Sequence, residues 1–217
     1  MSNELAHPLS TRFSEALVLA ADIHRQQSRK GTQVPYIAHV IGVASLALEY
    51  GADEDEAIAA LLHDAIEDAP AALGASAVRA LIKLKFGERV LTIVEGCTDT
   101  DEVPKPPWRV RKEQYVARIE HEPPSVMLVS VADKLHNVRA LQRDFRAVGE
   151  ALWSRFNPEA GQAGTLGYYR GLATVFRRRL EKVQDGRLQV MVEGLEREVD
   201  ALEDLVGAKG QWPLSNI

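Results

Sequence analysis

The amino-acid sequence predicts an all-α protein in which residues 1–217 form a single domain. Apolar residues recur at spacings of three and four along most of the chain, which is the pattern of amphipathic helices packed around a core. An apolar run at residues 126–132 fits a buried strand equally well by periodicity, but no other convincing strand exists to pair with it. No internal repeat, low-complexity tract or linker divides the chain. The predicted architecture is therefore one helical bundle.

Glycine, proline and capping residues set the limits of the predicted helices. Gly31 and Pro35 separate the first helix from the second, and Gly51 ends the second. Asp53 caps the third helix, and Gly87 separates the fourth from the fifth. A long ordered loop is predicted at residues 98–108, and the helices cover residues 12–28, 35–50, 54–68, 76–86, 88–97, 109–121, 125–142, 162–183 and 187–206.

The composition is that of an ordinary globular protein, with 46% hydrophobic and 26% charged residues. A net charge of −5 argues against general binding to nucleic acid or to a membrane surface. No stretch approaches the roughly 18 apolar residues of a membrane span, and the N-terminus lacks the apolar core of a signal peptide. Because Cys97 is the single cysteine, an internal disulfide is excluded. The sequence predicts a soluble, cytoplasmic protein.

The segment at residues 59–68 carries the strongest indication of chemistry. A run of small and apolar residues is followed within six positions by His63, Asp64, Glu67 and Asp68. On a helix, His63 and Glu67 are separated by four residues, as are Asp64 and Asp68, so all four side chains leave neighbouring strips of one helix end. Adjacent His-Asp pairs are most often solvated surface residues. Here the preceding residues 57–62 indicate a buried helix, so the crowded carboxylates indicate a bound divalent metal.

Two further residues are candidates to complete a metal shell with His63 and Asp64. His39 lies near the start of the second helix between apolar neighbours, where a hydrogen-bonded core histidine is the alternative interpretation. Asp133 ends the apolar run at residues 126–132, and a carboxylate at so deep a position needs a cation or several hydrogen bonds. Two imidazoles and two carboxylates suit manganese, iron, zinc or cobalt better than calcium. Open coordination positions indicate a hydrolytic site.

The order His39, His63-Asp64, Asp133 resembles the H…HD…D pattern of the HD superfamily of metal-dependent phosphohydrolases. More narrowly, the chain is similar to the hydrolase domain of the Rel/Spo alarmone enzymes over roughly residues 12–180. The segments that carry this resemblance are residues 29–31 (RKG), 35–39 (PYIAH), 60–68 (ALLHDAIED), 86–87 (FG), 96–98 (GCT) and 132–137 (ADKLHN).

The resemblance implies a stand-alone small alarmone hydrolase, without the synthetase and regulatory domains of long relatives. The implied reaction removes the 3′-diphosphate of guanosine 3′,5′-bis(diphosphate), or of its 5′-triphosphate form, and releases pyrophosphate and GDP or GTP. Manganese is the implied cofactor, as one ion held by His39, His63, Asp64 and Asp133. Glu67 and Asp68 are implied to be the catalytic acidic pair, with capping or surface carboxylates as the alternative.

Nucleotide contacts are implied at three positions. Arg29 and Lys30 match the basic pair that contacts the base and phosphates, although one more residue separates Arg29 from His39 than in long relatives. Arginine can stack its planar guanidinium on a base, which lysine does poorly. Asn137 lies four residues after Asp133, on the same helix face, and matches a residue that contacts the sugar.

A substrate with four or more negative charges also needs further cations. The dense basic patch of Lys105, Arg109, Arg111 and Lys112 is one candidate, with a solvated helix face as the alternative. Further candidates are Lys134 and Arg139 for phosphate and Tyr169, with its neighbours, for a pocket wall. Aromatic residues at helical spacing are more often part of a core.

Several alternatives remain open at this point. The substrate class also includes adenosine alarmones and NADPH 2′-phosphate, and a nucleotide 5′-phosphatase or other HD phosphohydrolase keeps the metal but changes the reaction. A non-catalytic nucleotide-binding HD module is the alternative from a different class. The expected partner is a small nucleotide, without nucleic acid or membrane. Homo-oligomerisation and a role as antitoxin to a small alarmone synthetase are left open.

Overall fold

The computed structural model describes residues 8–214, and helices account for its regular structure. Within that range there is no extended strand, and the isolated antiparallel bridge between Ser28 and Pro35 is the β feature. The all-α prediction is confirmed. The helices are α1 (Thr11–Ile23), α2 (Ile37–Glu49), α3 (Glu54–Leu62), α4 (Ala75–Phe86), α5 (Glu88–Cys97), α6 (Trp108–Ile119), α7 (Pro124–Val148), α8 (Gly161–Leu180) and α9 (Gly186–Val206), with a 3₁₀ helix at Gly149–Arg155.

The described helices fall into two compact units. Unit 1 ends at Asp101 and holds α1 to α5, and unit 2 begins at Glu102 and holds α6 to α9. That residues 1–217 form one domain stays a prediction. No helix in the described range is both long enough and apolar enough to cross a membrane.

Helix α3 is the centre of unit 1. Every residue from Glu56 to Leu62 is buried, and the helix packs against α1, α2 and α5. A helix that is apolar on all sides is stable only when neighbours cover it, and the small side chains at positions 57, 59 and 60 let those neighbours approach closely. Its start is fixed by a capping box, in which Asp53 accepts from the Glu56 backbone amide and Glu56 accepts from that of Asp53.

The prediction that α3 continues to Asp68 is wrong. The helix ends at Leu62, and residues 63–68 form consecutive turns, with hydrogen bonds from the Ala65 amide to Leu62 and from the Asp68 amide to Asp64. Carboxylates are unfavourable at the negative end of a helix dipole, and Pro70 disfavours helical backbone in the residue before it. The first effect disfavours continuation of the helix into the acidic residues, and Pro70 disfavours helical backbone only after them.

Helix α7 is the longest element of unit 2 and packs along α9 and α8. Residues 126–132 are helical and fully buried, which confirms helix over strand. Pro124 lies in the first turn, where its missing amide hydrogen costs nothing. The helix runs to Val148 instead of the predicted residue 142, because Gln142 donates from its amide to the Glu198 side chain and backbone on α9. By contrast, α1 is shorter than predicted and ends at Ile23, five residues earlier.

Candidate functional site

Three of the predicted metal ligands meet in unit 1. One ligand atom from each of His39, His63 and Asp64 lies within 4.8 Å of the other two. His63 Nε2 is 3.0 Å from Asp64 Oδ2, and His39 Nε2 is 3.7 Å from the same oxygen. The two imidazole rings are 5.2 Å apart and nearly perpendicular. Because zinc-type ions bind such atoms at about 2.0–2.2 Å, two ligands of one ion lie up to about 4 Å apart, and this spacing fits a single ion.

Both histidines are buried at helix ends, and a backbone hydrogen bond orients His63. His39 lies in the first turns of α2, His63 directly follows α3, and each is 1% exposed. His63 Nδ1 is 2.8 Å from the carbonyl oxygen of Ala60. Since a carbonyl can only accept, Nδ1 carries a proton, and Nε2 is the nitrogen that faces Asp64 and is available to a metal, as in a typical metal-binding histidine. The Asp64 side chain is 20% exposed, so the cluster is open to solvent on that side.

Tyr36 supports the cluster, although the sequence does not single it out. Its hydroxyl donates to Asp64 Oδ2 at 2.5 Å, and its ring meets the His39 ring edge-on at 5.4 Å. A partner that hydrogen-bonds a ligating carboxylate fixes the direction of the oxygen lone pairs. The PYIAH segment was informative about His39 but gave no separate indication that the tyrosine reaches Asp64.

Tyr36→Phe is expected to weaken metal binding about tenfold, because residues that hydrogen-bond a metal ligand contribute about 10–100-fold to affinity. Titration of the metal-free protein with Mn²⁺, followed by calorimetry, measures the change. Tyr50→Phe is the matched control, since Tyr50 is half-buried at the end of α2 in the same unit. Equal affinities of the Tyr36→Phe and Tyr50→Phe proteins would contradict the supporting role of Tyr36.

Glu67 and Asp68 lie in the turns after α3 and not on the helix that the sequence predicts. Asp68 Oδ2 accepts from the side-chain amide of Gln27 at 2.7 Å. Burial raises the pKa of Asp68, the negative charge of Asp64 raises it further, and the hydrogen bond from Gln27 opposes them. The net pKa lies above the ordinary value for aspartate, which suits a group that accepts a proton during a reaction.

The basic loop that follows α1 is folded back on itself. The Tyr36 amide donates to the Gln27 carbonyl, and the Arg29 amide donates to the Val34 carbonyl at 2.8 Å. Arg29 lies with its guanidinium 5.7 Å from the centre of the Tyr36 ring, whereas Lys30 is exposed. The loop therefore places Arg29 beside Tyr36, and the hydroxyl of Tyr36 donates to Asp64.

Asp133 is buried on α7 in unit 2 and is hydrogen-bonded on both oxygens. Lys134 Nζ is 2.5 Å from Oδ2, and Asn137 Nδ2 donates to Oδ1 at 2.5 Å. The Lys134 ammonium also lies 4.9 Å from the centre of the Tyr115 ring. Burial is the largest single influence and lowers the pKa of Lys134. The charge of Asp133, its hydrogen bond and the nearby Tyr115 and Tyr168 hydroxyls together outweigh burial and raise the pKa well above the ordinary range. Asp133 as a metal ligand stays a prediction.

A cavity of about 210 Å³ in unit 2 gathers four of the predicted substrate-binding residues. Lys112, Lys134, Asn137 and Tyr169 all line it. Tyr168, a neighbour of Tyr169 in the predicted pocket wall, also lines it. The remaining lining is aromatic or small and was not predicted, namely Trp108, Phe156, Ala160 and Thr165. The Lys112 ammonium lies 5.1 Å from the centre of the Tyr168 ring, so cations and aromatic faces alternate around the cavity.

The other predicted substrate-binding residues are not in the lining of this cavity. Lys105 is exposed in the loop before α6, Arg109 is exposed and donates to Glu113 at 3.3 Å, and Arg139 donates to Glu198 at 2.9 Å. The Arg139 contact, to α9, depends on tertiary packing. Trp108 carried a weak signal in the sequence, as a tryptophan directly after a proline-bearing polar segment. Its ring lies 6.3 Å from that of Tyr168.

Comparison with known proteins agrees with the H…HD…D pattern. Residues 16–165 match the HD domain family, so the chain belongs to the HD-domain family. It is 41% identical over 137 residues to the mouse protein named guanosine-3′,5′-bis(diphosphate) 3′-pyrophosphohydrolase MESH1, covering 62% of this chain and 72% of the mouse protein. The resemblance to the alarmone hydrolases is thereby confirmed.

A bacterial relative and a solved structure support the same relationship. An Aquifex aeolicus protein named guanosine-3′,5′-bis(diphosphate) 3′-pyrophosphohydrolase is 36% identical over 129 residues, which are 59% of this chain and 18% of that longer protein. The structure described as a metazoan ortholog of SpoT that hydrolyzes ppGpp aligns with a TM-score of 0.66 and 27% identity, covering 89% of this chain and 98% of that one.

Proposed function

We propose that this protein hydrolyses the 3′-diphosphate of guanosine 3′,5′-bis(diphosphate) in a metal-dependent reaction that releases pyrophosphate and GDP, or GTP from the 5′-triphosphate form. The observation that carries the proposal is the His39, His63 and Asp64 cluster, in a chain 41% identical to a protein named for this activity. A small nucleotide is the proposed partner, and the cytoplasm is the proposed location.

We propose Mn²⁺ as the ion, held by His39, His63 and Asp64 with Asp133 as a fourth ligand. The donor set of imidazole nitrogens and carboxylate oxygens fits an ion of intermediate hardness. When bound, such an ion supplies Lewis-acid stabilisation of the reacting phosphoryl group and acidifies water. Tyr36 keeps the Asp64 carboxylate in its orientation through the 2.5 Å hydrogen bond.

Asp68 is the proposed general base, with Glu67 as the second member of the acidic pair. Its raised pKa, caused by burial and by the charge of Asp64, brings it closer to the working pH of an intracellular hydrolase. Arg29 is proposed to stack on the base, as its position beside the Tyr36 ring allows. Asn137, Lys134, Lys112 and Tyr169 are proposed to bind the sugar and phosphates, because their side chains line one cavity.

A substrate panel tests the proposed function. The protein, stripped of metal with a chelator and then supplied with Mn²⁺, is incubated with the guanosine and adenosine 3′,5′-bis(diphosphates) and with NADPH. One pyrophosphate per nucleotide from the guanosine compound, and none before Mn²⁺ is restored, is the expected result. Release of phosphate from NADPH alone points to the 2′-phosphatase alternative, and no release from any compound contradicts the proposal.

Lys112→Met is expected to raise the KM for the guanosine substrate about tenfold or more, because a hydrogen bond to a charged group contributes about 1.5–3 kcal/mol. Steady-state kinetics at saturating Mn²⁺ measure the KM and kcat separately. Arg139→Met removes a positive charge from the same unit, but this arginine is paired with Glu198 and is not part of the cavity lining. An equal rise in KM for both variants would indicate a general charge effect and contradict a specific role for Lys112.

A further inference from the structure

A chain of two side-chain hydrogen bonds links α1 to Asp68. His24 Nδ1 is 2.6 Å from Gln27 Oε1, and Gln27 Nε2 is 2.7 Å from Asp68 Oδ2. An ionised carboxylate can only accept, so the amide nitrogen of Gln27 faces Asp68 and its oxygen faces His24. The amide oxygen also only accepts, and His24 must therefore donate from Nδ1. The direction of both hydrogen bonds is fixed by chemistry.

The surroundings of His24 indicate that packing alone does not explain a histidine at this position. It caps α1, is 2% exposed, and its ring lies 4.9 Å from that of Tyr36. Its other nitrogen, Nε2, is buried and has no hydrogen-bond partner in the described part of the chain. A buried polar atom without a partner costs free energy, so an apolar residue would be favoured here if packing were the only requirement.

We propose that His24 and Gln27 are positioning residues that hold the Asp68 carboxylate in its working orientation. Asp68 lies beside the like charges of Asp64 and Glu67, which push its carboxylate away from them. A lysine or arginine would hold it more strongly, but a full positive charge would also make it a weaker base. The neutral amide of Gln27 fixes the direction of the carboxylate without that loss. The inference rests on the proposed role of Asp68.

Substitutions of His24 separate the hydrogen bond from the packing of the ring. In His24→Asn the side-chain amide nitrogen takes the place of Nδ1 and can still donate to Gln27. Because Nε2 has no hydrogen-bond partner among the described residues of the parent protein, the substitution removes no other hydrogen bond there. In His24→Phe the ring remains but the donor is gone. We expect the Asn variant to stay within about threefold of the parent kcat and the Phe variant to fall about tenfold or more, because small misplacements of a reacting group cost up to about 100-fold. KM is expected to change little in either variant.

The opposite order of the two His24 variants, or equal losses in both, would overturn the proposal, since the donor would then be unimportant. A double-mutant cycle tests the action through Asp68. Gln27→Met is expected to lower kcat about tenfold in the parent protein but to have no further effect when Asp68 is already changed to Asn. Independent, multiplying losses would show that Gln27 acts elsewhere. Thermal unfolding of each variant verifies that it is folded.

A measurement without substrate distinguishes failure of this inference from failure of the proposed function. Nitrogen NMR of the His24 ring is expected to show a hydrogen-bonded proton on Nδ1, with this signature lost in Gln27→Met and kept in Asp68→Asn. A ring without a proton on Nδ1 in the parent protein would overturn the hydrogen-bond chain even if pyrophosphate is released. If no nucleotide is hydrolysed, the Nδ1 proton still decides whether the chain exists.

Discussion

Asp64→Asn is expected to lower kcat/KM for the guanosine substrate by at least about a thousandfold, because Lewis-acid stabilisation is worth several kcal/mol and each 1.4 kcal/mol is about tenfold in rate. Asp64 Oδ2 is the atom that both histidines of the cluster approach, at 3.0 Å from His63 Nε2 and 3.7 Å from His39 Nε2. The substitution keeps the shape of the side chain but removes the charge that balances a cation. Metal content by elemental analysis and pyrophosphate release measure the two effects.

Asp101→Asn is the control for Asp64→Asn. Asp101 belongs to the same unit but is exposed, and its side chain accepts from Arg79 at 2.6 Å. Its loss is expected to leave metal content and activity unchanged, since exposed ion pairs contribute little. An Asp64→Asn protein that keeps one ion per chain and normal activity would contradict the metal centre. Loss of activity with full metal content would instead assign Asp64 a role in catalysis apart from binding the ion.

Glu203→Gln is expected to lower the free energy of unfolding by about 2–3 kcal/mol at pH 7, because charge-assisted hydrogen bonds are worth about 1.5–3 kcal/mol. Glu203 is 1% exposed on α9 and accepts from Arg170 Nε at 3.0 Å and from its terminal nitrogen at 2.6 Å. The Gly210 amide also donates to it at 3.0 Å. Removing the charge leaves Arg170 and this backbone amide with a poorer acceptor. Urea unfolding followed by circular dichroism measures the change.

The direction of the Glu203 pKa shift determines how its contribution to stability depends on pH. Burial alone raises the pKa of Glu203, but the hydrogen bonds from Arg170 and Gly210 and the charge of Arg170 lower it, so its net pKa in the folded protein lies below the ordinary value. Its contribution is therefore fully present above the unfolded pKa of about 4.3 and is lost as the pH falls through the lower folded value. The difference between parent and Glu203→Gln is expected to be constant near neutrality and to shrink in acid.

The neighbouring Asp204 supplies the matched control. Its side chain is 74% exposed and pairs with Lys209, so Asp204→Asn is expected to change the free energy of unfolding by less than about 0.5 kcal/mol. A difference between the parent and Glu203→Gln proteins that grows as the pH falls would contradict a lowered pKa. Equal effects of the two substitutions at pH 7 would contradict a buried ion pair.

Apolar spacing was sufficient to predict the helices, because that spacing reports directly which faces are buried. It was insufficient for their ends, which depend on competing local and tertiary effects. Carboxylates disfavour continuation of α3 past Leu62, whereas α7, which contacts α9 through Gln142, runs beyond the predicted residue 142 to Val148. The boundary between the two compact units, at Asp101, lies within the loop predicted at residues 98–108, but apolar spacing does not indicate that contacts divide there.

The same distinction applies to the site. His39, His63 and Asp64 could be predicted, because their types and order follow a motif and the structure brings them together. Tyr36 and Gln27 could not be, since they reach Asp64 and Asp68 only when the loop after α1 folds back on itself. The basic residues could be identified from the sequence, but the surface that each side chain faces could not. Lys112 lines the cavity, whereas Arg139 pairs with Glu198 on α9.

The arrangement of the helices along the chain has a consequence for biosynthesis. All the elements that pack around α3 precede Asp101, whereas α7, which carries Asp133, packs along α9, and α9 ends at Val206. At translation rates of about 5–20 residues per second, the segment with the two histidines emerges from the ribosome seconds before α7 gains its neighbour. A nascent chain of this protein can therefore bring His39, His63 and Asp64 together while the remainder is still being synthesised.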